Sequence, residues 1–422
     1  MEKKNISKSN ILLYEYKNPA SHGFHLSLFI KAGSMYENEG EKGITHFFEH
    51  TAIRNINALM EGKLYSELDR LGVEFNASTY AEMVQFYISG ASDKLPFACE
   101  VISKIFSPFV LSGAEIEAER RRIKAEIRES DDKTSLITLS NEEVNRATSL
   151  ARLITGTVGD VNKITRARLE KYRVKILSQD NFFFYLTGNY SEEDKTEFLD
   201  ALGEIKPSWT GETRRNIAPV SQNHFKRSGV PLIKNADFSM LRFSFDLDMK
   251  KLTVPETDLI YDMLLSGYNS RLFIEMSERE GLFYDVSGAV ERYRNIGEFC
   301  FSFEVRGKDV YRAAELAVEI LKSYKNETPS PDALMKSAYV DNAYLLLDDI
   351  RDLNFTMAYD NHIMELGYAS LAERSAAYEK ISPEDIRRAA CEIFRPENLT
   401  LAIKGNKKSI NPDKIREIIK SL

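Results

Sequence analysis

Two stretches of the chain share one pattern of apolar and polar positions. Gln179-Asp180-Asn181 leads into the apolar run Phe182-Phe183-Phe184-Tyr185-Leu186 and ends at Thr187-Gly188-Asn189; Pro396-Glu397-Asn398 leads into Leu399-Thr400-Leu401-Ala402-Ile403 and ends at Lys404-Gly405-Asn406. Both read as a buried strand closed by Gly-Asn, and they lie 217 positions apart. The same shift carries Leu169, Ile176 and Leu177, on a helix before the first strand, onto Ile386, Ile393 and Phe394. A duplicated α+β unit is the simple explanation. Between the copies, Lys206-Pro207-Ser208-Trp209-Thr210-Gly211 and the residues to Asn216 have the polar, Pro/Gly-containing composition of a linker. The pattern predicts a first domain over 1–206, a linker over 207–222 and a similar second domain over 223–422.

His46-Phe47-Phe48-Glu49-His50 puts two imidazoles and a carboxylate on one face of an expected helix. Residues four apart on a helix sit one above the other, so His46 and His50 can aim ring nitrogens at one metal ion, with Glu49 beside it. This is the inverted H-x-x-E-H arrangement, in which Zn²⁺ lowers the pKa of a water and the carboxylate takes its proton. The chemistry it implies is peptide-bond hydrolysis. A five-residue pattern also arises on ordinary helices; against that, the chain has only six His, two of them at ligand spacing around a Glu.

A catalytic zinc has three protein ligands and one open position, so a third donor is required. Downstream, Ala114 to Ile127 reads as a long charged helix with Ile116, Ile123 and Ile127 at near-helical spacing and Glu119 and Glu126 two turns apart on one face. Taken alone, such a Glu/Arg-rich helix is ordinarily a solvated surface with ion pairs, Glu119 included.

Beyond these motifs the chain resembles the pitrilysin/insulinase superfamily of metallopeptidases, in its short two-domain form. Phe29-Ile30-Lys31-Ala32-Gly33-Ser34-Met35-Tyr36-Glu37 is similar to the family's strand and turn, Gly43-Ile44-Thr45 to its lead into the zinc helix, and Glu74-Phe75-Asn76-Ala77-Ser78-Thr79 to its edge strand. The resemblance implies His46, His50 and Glu126, which lies 76 residues past His50, as ligands of one zinc per chain. It implies Glu49 as the base and Glu119, seven residues before Glu126, as the carboxylate that orients a ligand. It further implies that Asn76 and Ala77 pair with an extended substrate backbone; the other reading is a hairpin strand with Asn76 at a turn. The implied fold is α+β, two domains each with a mostly antiparallel sheet and helices on one face. Two such pairs would face each other across a closed chamber, so this chain would dimerise.

Gly267-Tyr268-Asn269-Ser270-Arg271-Leu272-Phe273 and Glu280-Gly281-Leu282-Phe283-Tyr284-Asp285-Val286 resemble the family's second-domain signature, where an Arg and a Tyr seven apart hold substrate and stabilise the oxyanion. Tyr284 matches the Tyr, unless it is a core aromatic. Seven positions earlier stands Ser277, and Arg279 is rotated from that face by about 200° on a helix. An intact metal motif with a missing Arg is the pattern of a zinc-bearing subunit whose zinc-less homologous partner supplies the Arg and Tyr. A self-sufficient homodimer and a noncatalytic scaffold subunit stay open beside that heterodimer.

Composition narrows the partners. A length of 422 residues exceeds what one core usually serves, and a net charge of −7 with interspersed Lys/Arg offers no basic face for nucleic acid. The polar start Met1-Glu2-Lys3-Lys4 lacks a signal-peptide core and no later run is long enough to span a membrane, so the expectation is a soluble, cytoplasmic protein. Cys99, Cys300 and Cys391 are odd in number and lack metal spacing, as in buried thiols of a reducing compartment.

Overall fold

The computed structural model describes the chain except residues 131–134, 146–147, 208–231, 234–237, 267–268 and 407. Its strands fall into two sheets. The first holds β1 (Lys3–Ile6), β2 (Leu12–Lys17), β3 (Gly23–Ile30), β4 (Glu74–Thr79), β5 (Val84–Ala91) and β6 (Phe182–Gly188), in the order β1-β2-β6-β3-β5-β4. The second holds β7 (Leu232–Ile233), β8 (Phe238–Asp248), β9 (Val286–Arg292), β10 (Ile296–Arg306) and β11 (Leu399–Lys404), in the order β7-β11-β8-β10-β9. Apart from β1, the two orders are the same: β6 is parallel to β2 and antiparallel to β3, as β11 is parallel to β7 and antiparallel to β8. All other pairings are antiparallel, so each half is a mostly antiparallel α+β unit.

Six helices matter for the site and its counterpart: α1 (Ile44–Leu59), α2 (Gly113–Ser130), α3 (Arg166–Ile176), α4 (Val254–Leu265), α5 (Ile350–Ala358) and α6 (Pro383–Ile393). The repeat seen in the sequence extends to atoms. Leu169, Ile176 and Leu177 on or after α3 are buried, as are Ile386, Ile393 and Phe394 on or after α6. Asn181 Nδ2 donates to Ile176 O at 2.7 Å and Asn398 Nδ2 donates to Ile393 O at 2.9 Å, the same helix-to-strand lock in both copies.

Each sheet buries one face under helices because alternate residues of its strands are apolar. In the first, Phe24, Leu26, Leu28, Phe184 and Leu186 meet Phe47, Phe48 and Ile56 of α1 and Ile116, Ile123 and Ile127 of α2. In the second, Leu241, Phe243, Phe245, Phe299 and Phe301 meet Leu259 and Ile260 of α4 and Ile386 and Ile393 of α6. The first sheet is covered on its other face as well, where Phe29, Phe183 and Tyr185 pack against Leu353 and Met357 of α5. Asn354 Nδ2 joins this layer to the strands by bonds to His25 O, Tyr185 O and Thr187 Oγ1.

The compact units are consequently not contiguous in sequence. One comprises Met1–Asp131, Arg152–Ala218 and Tyr344–Leu371; the other comprises Asp132–Ala151, Pro219–Ala343 and Ala372–Leu422. The strands of the two sheets lie within 1–206 and 223–422, whereas Tyr344–Leu371, with its apolar and Asn354-bearing face, belongs to the first unit and Asp132–Ala151 to the second. The expected linker, apart from Pro207, lies outside the described residues.

Candidate metal centre

The start of α1 is built by a carboxylate and a glycine. Glu37 accepts hydrogen bonds from the backbone N–H groups of Gly43 at 2.8 Å and Thr45 at 2.9 Å, donors that the first turn of a helix cannot satisfy itself. Gly43 stands at φ +78°, and a Cβ there would lie 2.5 Å from Thr155 O, so only glycine fits. Thr45 Oγ1 and Tyr172 OH, 2.6 Å apart, tie the same turn to α3. With its start fixed and Phe47 and Phe48 in the core, α1 presents His46, Glu49 and His50 on another face.

On α2, the apolar positions Ile116, Ile123 and Ile127 face the core. Arg120 is buried too: its guanidinium lies over the Phe47 ring and donates to Val161 O and to Ile164 O, the latter at 2.7 Å. This helix is therefore not simply a solvated charged surface. Glu119 is 4 % exposed, with its Oε1 2.6 Å from Arg54 and its Oε2 3.4 Å from His50 Nδ1.

Glu126 meets both imidazoles. His46 Nε2 lies 3.4 Å from Glu126 Oε1, and His50 Nε2 lies 3.4 Å from Glu126 Oε2. Among the described residues these three form the one group of His, Cys, Asp or Glu that could hold a metal ion, with ligand atoms within 4.8 Å of one another. Ligands at zinc distances in a tetrahedron stand about 3.3 Å apart, so the donors fit the ion. Charge agrees. Burial, helped by neighbouring His50, lowers the His46 imidazole to about 4, so it is a neutral lone-pair donor near neutral pH. Burial opposes the charge of Glu119, but hydrogen bonds from His50 and Arg54 outweigh it and hold the carboxylate below its ordinary range. A bond from Nδ1 to that anion turns His50 Nε2 toward Glu126.

Glu49 is 8 % exposed, and its Oε2 accepts a hydrogen bond from Thr79 Oγ1 at 2.5 Å. Burial pushes its carboxyl up from the ordinary range, against the pull of the Thr79 bond and of His50. The four residues open into a cleft of about 1180 Å³ whose wall includes Phe75, Asn76, Ala77 and Thr79. These belong to β4, which among the described residues is the outermost strand and pairs only with β5. Asn76 sits in mid-strand opposite Tyr87 and not at a turn. Tyr80 N–H bonds Met83 O across the β4–β5 hairpin, and the ladder alternation from that pair turns the backbone groups of Phe75, Ala77 and Thr79 outward. Asn76 Oδ1 covers the Ala77 N–H at 2.8 Å.

Tyr284 belongs to the second unit, where it is 95 % exposed and so is no core aromatic. Ser277 lies in a π-helical turn (Phe273–Arg279) and donates to Phe283 O at 2.8 Å, while Arg279 is exposed. Gly267 and Tyr268 of the expected signature lie outside the described residues. Sequence reasoning passed over Glu37, Arg54 and Thr79. Thr79 alone left a readable signal, since alternation puts it on the same side of β4 as Phe75 and Ala77.

Comparison with known proteins adds to this geometry. The family model described as "Insulinase (Peptidase family M16)" matches residues 13–158, and "Peptidase M16 inactive domain" matches residues 163–337. The chain belongs to peptidase family M16. It is 25 % identical to an uncharacterized zinc protease of Rickettsia bellii over 97 % of this chain and 98 % of that one. With the human mitochondrial-processing peptidase subunit beta this M16 chain shares 32 % identity, over 43 % of its own length and 39 % of the relative's. Its fold is similar to that of a protease from Helicobacter pylori, with a TM-score of 0.81, 16 % identity, and coverage of 96 % of this chain and 99 % of the other. The chain also covers half of the periplasmic protease PqqL of Escherichia coli, with a TM-score of 0.82 and 18 % identity. Among the described residues no helix is long and apolar enough to cross a membrane.

Proposed function

We propose that this M16 chain is a zinc-dependent endopeptidase that cleaves peptides or extended precursor segments, with His46, His50 and Glu126 as ligands and Glu49 as base. The observation that carries the reading is the convergence of His46 Nε2, His50 Nε2 and the Glu126 carboxylate beside a buried Glu49, in a cleft walled by an open strand edge. When bound, zinc would supply Lewis acidity, making a water acidic near neutral pH and polarising the scissile carbonyl. Glu49 takes the proton of the attacking water and passes it to the leaving amine. Glu119 keeps the His50 ring turned, and Arg54 keeps Glu119 in place. The outward groups of Ala77 and Thr79 pair with the peptide backbone once Asn76 releases the Ala77 N–H, which holds the chain extended with little demand on its side chains.

Oxyanion stabilisation is where a partner enters. Ser277 spends its hydroxyl on Phe283 O, leaving Tyr284 as the exposed member of the expected pair. We assign this chain as the zinc-bearing subunit of a heterodimer whose zinc-less homologue supplies the Arg and Tyr around a closed chamber. A self-sufficient homodimer is the other outcome of the test. Zinc content and cleavage of a mixed peptide library are measured for the chain alone, for its Glu49→Gln variant, and with a zinc-less homologue added. The reading expects zinc in the wild type and in Glu49→Gln, and cleavage only when the wild-type chain and the homologue are mixed. Cleavage by the chain alone moves the assignment to a homodimer, and zinc without cleavage in any mixture moves it to a noncatalytic subunit.

A further inference from the structure

We propose that Thr79 is a positioning residue: its hydroxyl fixes the rotamer of Glu49 and couples that rotamer to the strand on which a peptide is laid. The inference rests on the reading of Glu49 as base. Thr79 Oγ1 stands 2.5 Å from Glu49 Oε2. An ionised carboxylate only accepts, so the hydroxyl proton points at Oε2 in a charge-assisted bond. That leaves Oε1 as the oxygen to take the proton of the attacking water. Without this bond the side chain would sample the other staggered wells about its torsions.

The donor's place in the fold gives the bond its second role. Thr79 ends β4 opposite Val84, with its side chain toward α1 and its backbone groups toward the open edge. A peptide added to that edge bonds to the residue that holds the base. Strand addition orders β4, β4 orders Thr79, and Thr79 orders Glu49, so the base is in place when a substrate is.

Zinc-loaded Thr79→Val and Thr79→Ser are compared with the wild type on a peptide whose cleavage Glu49→Gln abolishes; wild-type cleavage by Glu49→Gln would refute the base itself and is thereby told apart from failure of Thr79. Valine keeps the branched shape and removes the donor; serine keeps the donor. Thr79→Val is expected to lower kcat about 10- to 100-fold with zinc content unchanged. KM should stay within about twofold, and Thr79→Ser should restore kcat to within about threefold. A crystal structure of zinc-loaded Thr79→Val should show the Glu49 carboxylate in another rotamer. Should Thr79→Val fail to fold, Thr79→Ala is read the same way. The proposal is overturned by a kcat for the valine variant within about twofold of wild type with Glu49 unmoved, by a change in KM alone, or by a zinc loss that serine does not repair.

Discussion

The two units repeat one strand order but treat their polar groups in opposite ways. α1 and α4 each follow the central strand of their sheet, β3 and β8, and each packs on the helix of the repeated lock, α3 or α6. On α4 the acids are used internally: Glu256 caps its own helix through Thr253 and takes a bond from Arg388, while Asp258 binds Arg292 and, at 2.6 Å, Tyr378 OH. On α1, His46 and His50 each aim Nε2 at an oxygen of Glu126 on α2 across a gap of 3.4 Å. A buried group with a protein partner stabilises the fold; a cluster of acceptors aimed at one point needs a cation. One topology therefore yields a structural ion-pair network in one half and a candidate metal centre in the other.

The largest effect should separate these roles outright. His50→Ala or Glu126→Ala should take zinc stoichiometry from one toward zero, by metal analysis, with little change in unfolding of the metal-free chain. Asp258→Ala should lower stability by about 2 kcal/mol, as loss of one partner from a half-buried charged hydrogen bond does, and leave zinc affinity unchanged. Zinc loss in Asp258→Ala would break the comparison. Glu119→Gln should weaken zinc binding about 10- to 100-fold in a chelator competition, since it acts through His50; undiminished affinity would make Glu119 merely a partner of Arg54.

Protons provide a finer contrast, because every described His belongs to the first unit. Burial, with Arg351 adding to it, lowers His25 to about 3. The unfolded chain takes up this proton near pH 6.5, the native chain near 3. The contribution of neutral His25 is thus complete above about pH 6.5 and is lost as pH falls toward 3, at about 1.4 kcal/mol per unit. Denaturant unfolding of the wild type and His25→Phe at pH 7, 6 and 5 should show that slope only in the wild type; parallel curves would refute it. The smallest effect is expected at Glu37→Ala, where loss of the acceptor for two first-turn amides should cost about 1 kcal/mol in thermal unfolding.

The strand repeat was legible in the sequence because Asn181 and Asn398 make local bonds, five residues back, that impose the same residue at the same place in each copy. The metal donors were partly legible for a similar reason: His46 and His50 are one helical turn apart, whereas Glu126 required resemblance to a known family. Contacts between distant segments left little trace. Nothing local marks Asn354 as the residue that bonds two strands from a segment far downstream, because it meets its partners only after the sheet and helices have assembled. The Glu/Arg-rich pattern of α2 pointed to a solvated face, yet the buried Arg120 and Glu119 found their partners on other elements.

The central claim is that His46, His50 and Glu126 hold one zinc. Anomalous diffraction at the zinc edge tests it most directly. The account predicts a single peak about 2.0 to 2.2 Å from His46 Nε2, His50 Nε2 and a Glu126 oxygen. A zinc-saturated crystal with no peak there, or with its peak among the acids of the second unit, would contradict it.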